Sequence, residues 1–399
     1  MKILFLTTDD GTFWSHRLNL ARAIKSEGTE VVIMTYPGDS CPRLEKEGFR
    51  IIPWNISRRS MQPLRELKSL LDVISAYRIE RPDLVHHVAL KPIVYGSIAT
   101  SFCNSIPAAN TITGLGPVFI NSTWQMAFLR CLLVIVLKQV LKRENCRVIC
   151  QNEADRALLA DLQISPLEKT TVIPGFGVDI QRFVPLPEGE GVPIAMLPAR
   201  LLWEKGIREF VAAAQQLRAQ KAPVRMVLVG KPDPKNPGCI PMSQVESWVQ
   251  SGVVEWWGHL DDMPAALGRS NIVCMPSYGE GLPKVLLEAA ACGRAIVTTR
   301  VPGCSEVVRH GENGFLIPAR DSGAIAAAIL NLSQDQRLRA RMGATGRARV
   351  VNEFSDVEIS RQIIAVYREL LNCNSRRGHS LAQAPAKAGS KAKFDFKPL

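Results

Sequence analysis

The sequence predicts an α/β fold with two doubly wound, parallel-sheet domains that face each other across a cleft. Short apolar segments alternate with amphipathic ones along the whole chain, which is typical of βαβ units. At 399 residues the chain is also long for a single hydrophobic core. The Pro- and Gly-rich stretch DIQRFVPLPEGEGVP separates two such runs. We therefore expect a first domain over residues 1–178, a linker over 179–193 and a second domain over 194–355.

Both domains show the expected rhythm of strands and helices. The first contains the strand-like segments MKILFLT, EVVIMTY, RIIPW, DLVHH and AANTIT, with helices predicted near residues 15–26 and 63–77. The second contains PIAMLPA, VRMVLVG, VVEWWG, NIVCMPS, AIVTT and GFLIPA, with helices over 207–220, 263–268 and 282–292. Ligands of such sheets bind at the carboxyl ends of the strands, so the cleft is the expected binding site.

The C-terminal region is expected to contain a helix over residues 356–373 that crosses back to the first domain. Residues 374–399 are rich in Ala, Ser, Gly and Lys and lack apolar periodicity, which predicts a disordered basic tail. Six Lys or Arg residues and one Asp give this tail +5 of the chain's net charge of +12. The remaining surplus suits phosphorylated substrates or an anionic membrane. Because no basic-aromatic RNA motif occurs, nucleic acid is not an expected partner.

Several classes of site are not expected. The ten cysteines form no CxxC pair matched by a second Cys or His pair, so no metal site is predicted and reduced thiols in a cytoplasm are favoured. No G-x-G-x-x-G follows the first strand, which argues against a dinucleotide cofactor. The apolar run at the N-terminus is too short for a signal peptide.

Residues 126–143, MAFLRCLLVIVLKQVLKR, combine a large apolar face with basic residues. The uninterrupted apolar core is shorter than the roughly 20 residues of a membrane-spanning helix. A helix lying on an anionic membrane and a domain helix with one buried face are both consistent with this pattern.

The stretch SYGEGLPKVLLEAAACG, residues 277–293, places two carboxylates in an apolar setting. It follows a predicted strand, and Pro283 suits the first turn of a helix. Glu280 then lies just before the helix N-terminus, where free N–H groups can bind a phosphate, and Glu288 lies about two turns along the helix. An ionised carboxylate only accepts hydrogen bonds and can bridge a vicinal diol. The pair is therefore predicted to hold hydroxyls of two different sugars.

In this context the chain resembles the retaining GT-B glycosyltransferases of family 4. Their Gly-Glu-Gly-x-Pro loop, with a second Glu eight residues on, is matched here and continues as CGRAIVTTRVPGCSEVVRHGENGFLIPARD. PARLLWEKGIREFVAAA, residues 198–214, supplies the family's Arg and Lys as Arg200 and Lys205. The resemblance implies a UDP-sugar donor with Glu280 on the transferred sugar and Glu288 on the ribose. The other donor contacts that it implies are Ser277, Gly281, Leu282, Pro283 and Lys284.

The same resemblance implies retention of anomeric configuration without a metal ion. Arg200 and Lys205 would neutralise the departing diphosphate. That diphosphate would itself take the proton of the acceptor hydroxyl, in a front-face mechanism.

The first domain resembles a narrower bacterial subgroup through SRRSMQPLRELKSL (57–70), HHVALKPIVYG (86–96) and TGLGPVF (113–119). That subgroup transfers N-acetylhexosamines to lipid-diphosphate acceptors of O-antigen, capsule or glycoprotein glycans. The resemblance implies GalNAc or GlcNAc as the sugar and an undecaprenyl-diphosphate-linked saccharide as the acceptor. It also implies a peripheral position on the inner face of the cell membrane, and substrate contacts at Gly114 and Gly116.

Four further residues of the first domain are candidates. Many members of the wider family place a His where this chain has Val88, so either His87 takes that role or Lys91 lies beside the phosphates. Both residues are equally compatible with a structural role, and adjacent strand residues point to opposite faces. Gly11 is predicted to let the backbone approach the diphosphate. His16 is predicted to line the acceptor side, or else is an ordinary neighbour of a helix cap.

Three alternatives remain on sequence grounds. The first is a GT-B transferase with another hexose donor or a soluble acceptor. The second is a sugar-nucleotide epimerase, which shares the two-domain architecture but needs a set of catalytic acids that the sequence does not present. The third is a non-enzymatic protein that binds membranes or nucleic acid through its positive charge.

Overall fold

The computed structural model describes residues 1–56, 62–103, 106–114 and 124–382, without the side chains of 125, 126 and 374–382. Two β-sheets organise this part of the chain. The first has seven strands in the order β3-β2-β1-β4-β5-β6-β7, and the second has six in the order β10-β9-β8-β11-β12-β13. The strands of both sheets pair in parallel. These sheets confirm the predicted fold of two doubly wound, Rossmann-like domains.

The elements of the first half alternate as predicted. Its strands are β1 (Lys2–Leu6), β2 (Glu30–Thr35), β3 (Arg50–Pro53), β4 (Leu84–Val88), β5 (Ala108–Ile112), β6 (Cys146–Cys150) and β7 (Thr170–Val172). Its helices are α1 (Asp10–His16), α2 (Leu18–Ser26), α3 (Cys41–Lys46), α4 (Pro63–Glu80), α5 (Leu90–Ser101), α6 (Trp124–Leu141) and α7 (Glu153–Asp161). The single helix predicted near 15–26 is therefore two helices.

The second half repeats the pattern. Its strands are β8 (Ile194–Pro198), β9 (Arg225–Val229), β10 (Glu255–Trp256), β11 (Ile272–Met275), β12 (Ala295–Thr299) and β13 (Gly314–Ile317). Its helices are α8 (Ile207–Ala219), α9 (Met242–Gln250), α10 (Met263–Gly268), α11 (Lys284–Ala291), α12 (Pro302–Val307), α13 (Ser322–Gln334), α14 (Gln336–Glu353) and α15 (Asp356–Ala382).

Helices cover both faces of each sheet. The central strands β4, β5, β8 and β12 are buried along their whole length. Helices α2 and α15 pack on one face of the first sheet, and α4, α5 and α6 lie on the other. With both faces covered, each sheet is open at the carboxyl ends of its strands, and a ligand site is expected there.

The last helix joins the end of the chain to the first domain. Ile359, Ile363 and Leu370 of α15 are buried among the side chains of α2 and the first sheet. The helix continues to Ala382, so it enters the stretch that the sequence predicted to be disordered from residue 374 onwards. The residues between 374 and Pro385 contain no proline, and a helix can therefore continue through them. Residues 383–399 lie outside the described residues.

Helix α6 combines features of both interpretations of its sequence, a domain helix with one buried face and a helix that lies on a membrane. Leu137, Val140 and Leu141 are buried against β5 and β6, while Trp124, Phe128 and other apolar residues of the same helix remain exposed. The helix thus has a buried face in the domain and a second apolar face outside it. None of the described helices is long and apolar enough to cross a membrane.

Candidate active site

The carboxyl ends of the two sheets meet at a cleft with a volume of about 920 Å³. Both domains contribute to its walls. Of the predicted site residues, the following line it: His16, Lys91, Gly114, Arg200, Lys205, Glu280, Gly281, Leu282, Pro283 and Lys284. The two motifs of the second domain, which are far apart in sequence, are therefore brought together opposite the first domain.

Lys205 and Glu280 form an ion pair in the wall of this cleft. The Nζ atom of Lys205 lies 2.5 Å from Oε1 of Glu280, and both side chains are largely buried. Lys205 ends a 3₁₀ turn and is followed by Gly206, whose φ is +71°. A Cβ atom there would lie 2.1 Å from the carbonyl oxygen of Pro276. Glycine is therefore required where the Lys205 turn passes the end of β11.

Arg200 lies at the mouth of the cleft, two residues beyond β8. Its Nη1 donates a 2.8 Å hydrogen bond to Asp233, and its side chain is more than half exposed. A surface ion pair of this kind contributes little stability. Arg200 can therefore exchange Asp233 for an anionic ligand at small cost.

The loop before α11 forms the floor of the second domain's side. Gly281, Leu282 and Pro283 line the cleft. A Cβ atom at Gly303 would lie only 2.1 Å from the carbonyl oxygen of Gly281, so α12 approaches this loop closely. Ser277 lies deeper: it is fully buried and does not line the cleft, and its Oγ has no hydrogen-bond partner in the described ranges.

Glu288 lies behind Lys284 on α11 and does not itself line the cleft. Burial raises the pKa of its carboxyl group, and the neighbouring Lys284 ammonium opposes that rise. The Nζ atom of Lys284 lies 3.5 Å from Glu288 and donates a 3.0 Å hydrogen bond to the carbonyl oxygen of Ser15. Lys284 thus bridges the two domains, and it must move before Glu288 can reach a ligand.

His16 ends α1 and lines the first-domain wall. Its ring lies 3.8 Å from the Phe176 ring, centroid to centroid. Burial, with the charges of Lys284 and Arg17, lowers the pKa of His16 to about 3. Nδ1 lies 3.2 Å from the carbonyl oxygen of Thr12, which only accepts, so the proton of the neutral ring is assigned to Nδ1. The Nε2 atom is then an acceptor for a substrate hydroxyl.

The structure does not bring His87 to the cleft, and its prediction as a site residue is wrong for a physical reason. Both faces of the central strand β4 are covered by helices, so neither adjacent His reaches the opening. The ring of His87 is fully buried, with Nδ1 2.7 Å from Asn110 Oδ1 and Nε2 2.9 Å from the Tyr77 hydroxyl. His86 is buried on the other face, between Thr111 and Tyr367. Val88 and Ala89 line the cleft instead.

Lys91 and the candidate glycines of the first domain differ in whether they line the cleft. Lys91 lines the cleft, but its Nζ lies 3.0 Å from Glu66. Gly114 lines the cleft with a φ of +121°, whereas Gly116 lies outside the described residues. Gly11 does not line the cleft: it is exposed in the first turn of α1, because Asp9 caps this helix earlier than the sequence suggested. The nearby cleft wall is formed by Thr7, Thr8 and Thr12.

Among the cleft residues that the sequence analysis missed, two carry buried nitrogen donors. Arg17 and Gln151 are each 2% exposed and line the cleft. The Nε and Nη2 atoms of Arg17 and the Nε2 atom of Gln151 have no hydrogen-bond partner among the residues that the structure describes. Their sequence contexts, SHRLN and ICQNE, carry no motif. Only the fold shows that these buried donors face the cleft.

Within the described part of the chain, no group of three or more His, Cys, Asp or Glu side chains is placed to hold a metal ion. Positive charge in the cleft is supplied instead by Arg17, Lys91, Arg200, Lys205 and Lys284. Such a set of cations is suited to a phosphorylated ligand.

Known proteins share both the sequence and the fold. Residues 2–152 match the family described as "Glycosyl transferase 4-like" and residues 193–335 match "Glycosyl transferases group 1". The chain is 26% identical over 384 residues to N,N'-diacetylbacillosaminyl-diphospho-undecaprenol alpha-1,3-N-acetylgalactosaminyltransferase of Campylobacter jejuni, covering 93% of this chain and 99% of that protein. It is 24% identical to the capsular polysaccharide biosynthesis glycosyltransferase CapM of Staphylococcus aureus, covering 87% and 92%.

Among solved structures, HepE of Anabaena in complex with UDP superposes with a TM-score of 0.76 at 20% identity, over 92% of this chain and 100% of that one. WaaG, a glycosyltransferase involved in lipopolysaccharide biosynthesis, superposes with a TM-score of 0.69 over 91% and 99%. At these identities the structures establish the fold, and the two family matches cover both domains. The chain belongs to the family 4 glycosyltransferases and has their GT-B fold.

Proposed function

We propose that this enzyme transfers an N-acetylhexosamine, such as GalNAc or GlcNAc, from a UDP-sugar to a saccharide carried on a lipid diphosphate, with retention of anomeric configuration. The observation that carries the proposal is the pairing of Lys205 with Glu280 in the cleft, beside Arg200. This arrangement offers cations to a leaving diphosphate and a carboxylate to the hydroxyls of the transferred sugar. HepE, with the same fold, has been crystallised with UDP.

The donor is proposed to bind the second domain. Arg200 and Lys205 would contact the diphosphate, with Gly281, Leu282 and Pro283 packing against it at the start of α11. Glu288 would accept hydrogen bonds from the ribose after Lys284 moves aside. Ser277 would influence the donor only indirectly, through this loop, because its hydroxyl is buried beneath the loop.

The acceptor is proposed to enter from the first domain, where His16, Gly114 and Lys91 line the wall. The Campylobacter relative is named for a diphospho-undecaprenol acceptor, and an Escherichia coli relative, 23% identical, for GlcNAc-diphosphoundecaprenol. These names support an undecaprenyl-diphosphate-linked saccharide as the acceptor, in the synthesis of a bacterial surface glycan.

The proposed reaction needs no metal ion and no covalent intermediate. As the bond between the sugar and the diphosphate breaks, negative charge develops on the departing oxygen, close to Lys205 and Arg200. The same oxygen takes the proton from the acceptor hydroxyl, which attacks from the face that the diphosphate leaves. Arg200 and Lys205 stabilise that charge, and both are in position in the cleft before the reaction begins.

This function is tested by incubating the purified protein with a panel of UDP-sugars, EDTA and a lipid-diphosphate-linked sugar, with the product's linkage determined by NMR. We expect transfer from one UDP-N-acetylhexosamine, undiminished by EDTA, with an α-linkage retained from the donor. Transfer only to a lipid-free acceptor, or an inverted linkage, would reject the corresponding part of the proposal.

We further propose that the first domain docks on the inner face of the cell membrane. Trp124, Phe128 and Ile135 of α6 are 77%, 68% and 57% exposed and recur at helical spacing. On the same side of the sheet, α4 exposes Leu64 and Leu71. Exposed apolar groups that recur along two helices on the same side of a sheet are suited to insertion at a bilayer interface.

Basic residues on α6 add attraction to anionic lipids. Lys138 and Lys142 are available for it, because Lys142 is exposed and Lys138 half-buried. Arg143 serves the fold instead: its Nη1 donates a 2.8 Å hydrogen bond to Thr100. Neutralising Arg143 would therefore remove the hydrogen bond that ties the chain just after α6 to α5, as well as any membrane contact.

Replacing Phe128 and Ile135 together by Ser is expected to weaken binding to phosphatidylglycerol-containing vesicles by about tenfold or more, since a buried apolar side chain contributes about 1.5–3 kcal/mol. Co-sedimentation with vesicles measures this. Val357→Ser is the matched control, because Val357 is equally exposed but lies on α15, on the opposite face of the sheet. Equal binding by all three proteins would contradict the docking surface.

A further inference from the structure

Arg17 is a buried cation that has no counter-charge among the described residues. It separates α1 from α2, and its backbone N–H donates a 2.8 Å hydrogen bond to the carbonyl oxygen of Phe13. The side chain is 2% exposed and lines the cleft, and its Nε and Nη2 atoms make no hydrogen bond within the described part of the chain. Burial lowers the pKa of the guanidinium to about 10, so it remains charged at neutral pH.

The other cations of the cleft differ from Arg17 in this respect. Among the described lining residues, Lys91 pairs with Glu66, Arg200 with Asp233, Lys205 with Glu280, and Lys284 with Glu288. The titratable groups that interact with the Arg17 guanidinium are the hydroxyl of Tyr367 and the rings of His86 and His16, and burial favours the neutral form of all three. An unpaired buried charge is costly to the folded state. A ligand that supplies the missing anion would remove this cost.

We propose that Arg17 binds a phosphate group of the acceptor's diphosphate. Arg17 is held by the first domain, with the hydroxyl-bearing residues Thr7, Thr8 and Thr12 in the same wall. The cations proposed for the donor, Arg200 and Lys205, belong to the second domain. The planar guanidinium can give two parallel hydrogen bonds to phosphate oxygens, and burial strengthens them.

The chemistry of the acceptor explains why the cleft would contain a second anion site besides the one proposed for the donor. In a monosaccharide carried directly on a lipid diphosphate, the attacking hydroxyl and the phosphate are attached to the same pyranose ring. The phosphate therefore enters the cleft with the hydroxyl and needs a cation there. This step rests on the proposed function, whereas the presence of an anion site at Arg17 does not.

The binding test uses inorganic pyrophosphate as the probe, titrated calorimetrically into protein already saturated with UDP. We expect the unmodified protein to bind pyrophosphate, and Arg17→Met to bind it at least tenfold more weakly, with UDP affinity unchanged within about twofold. Arg22→Met on α2 is the matched control, because Arg22 lies on the surface paired with Glu47. An equal loss of UDP affinity would assign Arg17 to the donor, and unchanged pyrophosphate affinity would remove the site.

Thermal unfolding separates a substrate-binding role from a structural one. Without ligand, Arg17→Met should unfold at the same temperature as the unmodified protein or higher, because an unpaired buried charge is removed. A lower unfolding temperature with unchanged pyrophosphate affinity would make Arg17 a structural residue. If Arg17→Met fails to fold, Arg17→Lys keeps the charge without the bidentate geometry, and should still bind pyrophosphate more weakly than the unmodified protein.

Kinetics then identify the source of the phosphate. With the lipid-linked acceptor, Arg17→Met should raise the acceptor KM at least tenfold and leave the donor KM unchanged. A raised donor KM would contradict the assignment. If the unmodified protein transfers no sugar to lipid-linked acceptors, the proposed function fails and the acceptor assignment fails with it. The pyrophosphate experiment still decides whether Arg17 forms an anion site.

Discussion

Replacing Lys205 by Ala is expected to lower kcat by about 10²–10³, the range typical for removing one group that stabilises developing charge. The donor KM should change only a few-fold, because Arg200 and the start of α11, which we propose to contact the diphosphate, are unchanged in this variant. Stopped assays with the UDP-sugar donor measure both constants. The loss should fall on kcat because the charge near Lys205 increases as the sugar leaves.

The ion pair with Glu280 complicates this variant, because Lys205→Ala also leaves a largely buried carboxylate without its partner. Lys205→Arg keeps the charge and should recover part of the rate, which a packing defect alone would not allow. Lys46→Ala, on the exposed surface of α3, is the matched control and should retain full activity. A Lys205→Ala enzyme with full kcat would remove Lys205 from the proposed mechanism.

The second-domain half of the site was predictable because its residues are local to strand ends. Arg200 follows β8 and Glu280 follows β11, and these two strands are neighbours in the sheet. Parallel neighbours bring the residues after their carboxyl ends together. The order of the strands was not needed to identify the motif, but it explains why Lys205 and Glu280 meet.

The first-domain half was less predictable, because its cleft residues depend on which faces the helices cover. The alternation of strand residues places His86 and His87 on opposite faces, but it does not say that Tyr367 and Tyr77 cover both. The Tyr367 contact comes from α15, which is more than 250 residues away in sequence. Pairings this distant carry no signal in a single sequence.

Arg17 is the opposite case: the sequence did not suggest it as a site residue, and the fold places it in the cleft. On a predicted continuous helix, an Arg in SHRLNLAR appears as one more solvated charge. The chain instead breaks at Arg17, with φ −129° and ψ −8°, and this break turns the side chain towards the cleft. Backbone geometry at one residue therefore changes an apparent surface charge into a candidate ligand.

Stability should fall steeply as the pH is lowered from 7 to 5.5, by up to about 4 kcal/mol in the free energy of unfolding. Burial lowers the pKa of His16 to about 3, that of His87 to about 4, and that of His86 well below its usual value. In the unfolded chain each titrates near 6.5. Between the lowered pKa values of the folded protein and 6.5, the unfolded chain binds protons that the folded protein does not. Lowering the pH through this range therefore favours unfolding. Urea denaturation at half-unit steps of pH measures the effect.

The histidine contribution can be isolated with His87→Gln, because Gln can still hydrogen-bond to both Asn110 and Tyr77 but binds no proton. That variant should lose about one third of the pH dependence, and His259→Gln, at a half-exposed surface position, is the matched control. Buried carboxyl groups with raised pKa values, such as Glu288 and Asp155, act in the opposite sense, because they hold a proton more readily in the folded state. Both groups are present in the unmodified protein and in His87→Gln, so the difference between the two proteins reports on the histidine. Equal stability at pH 7 and pH 5.5 would show that the three rings are protonated without unfolding.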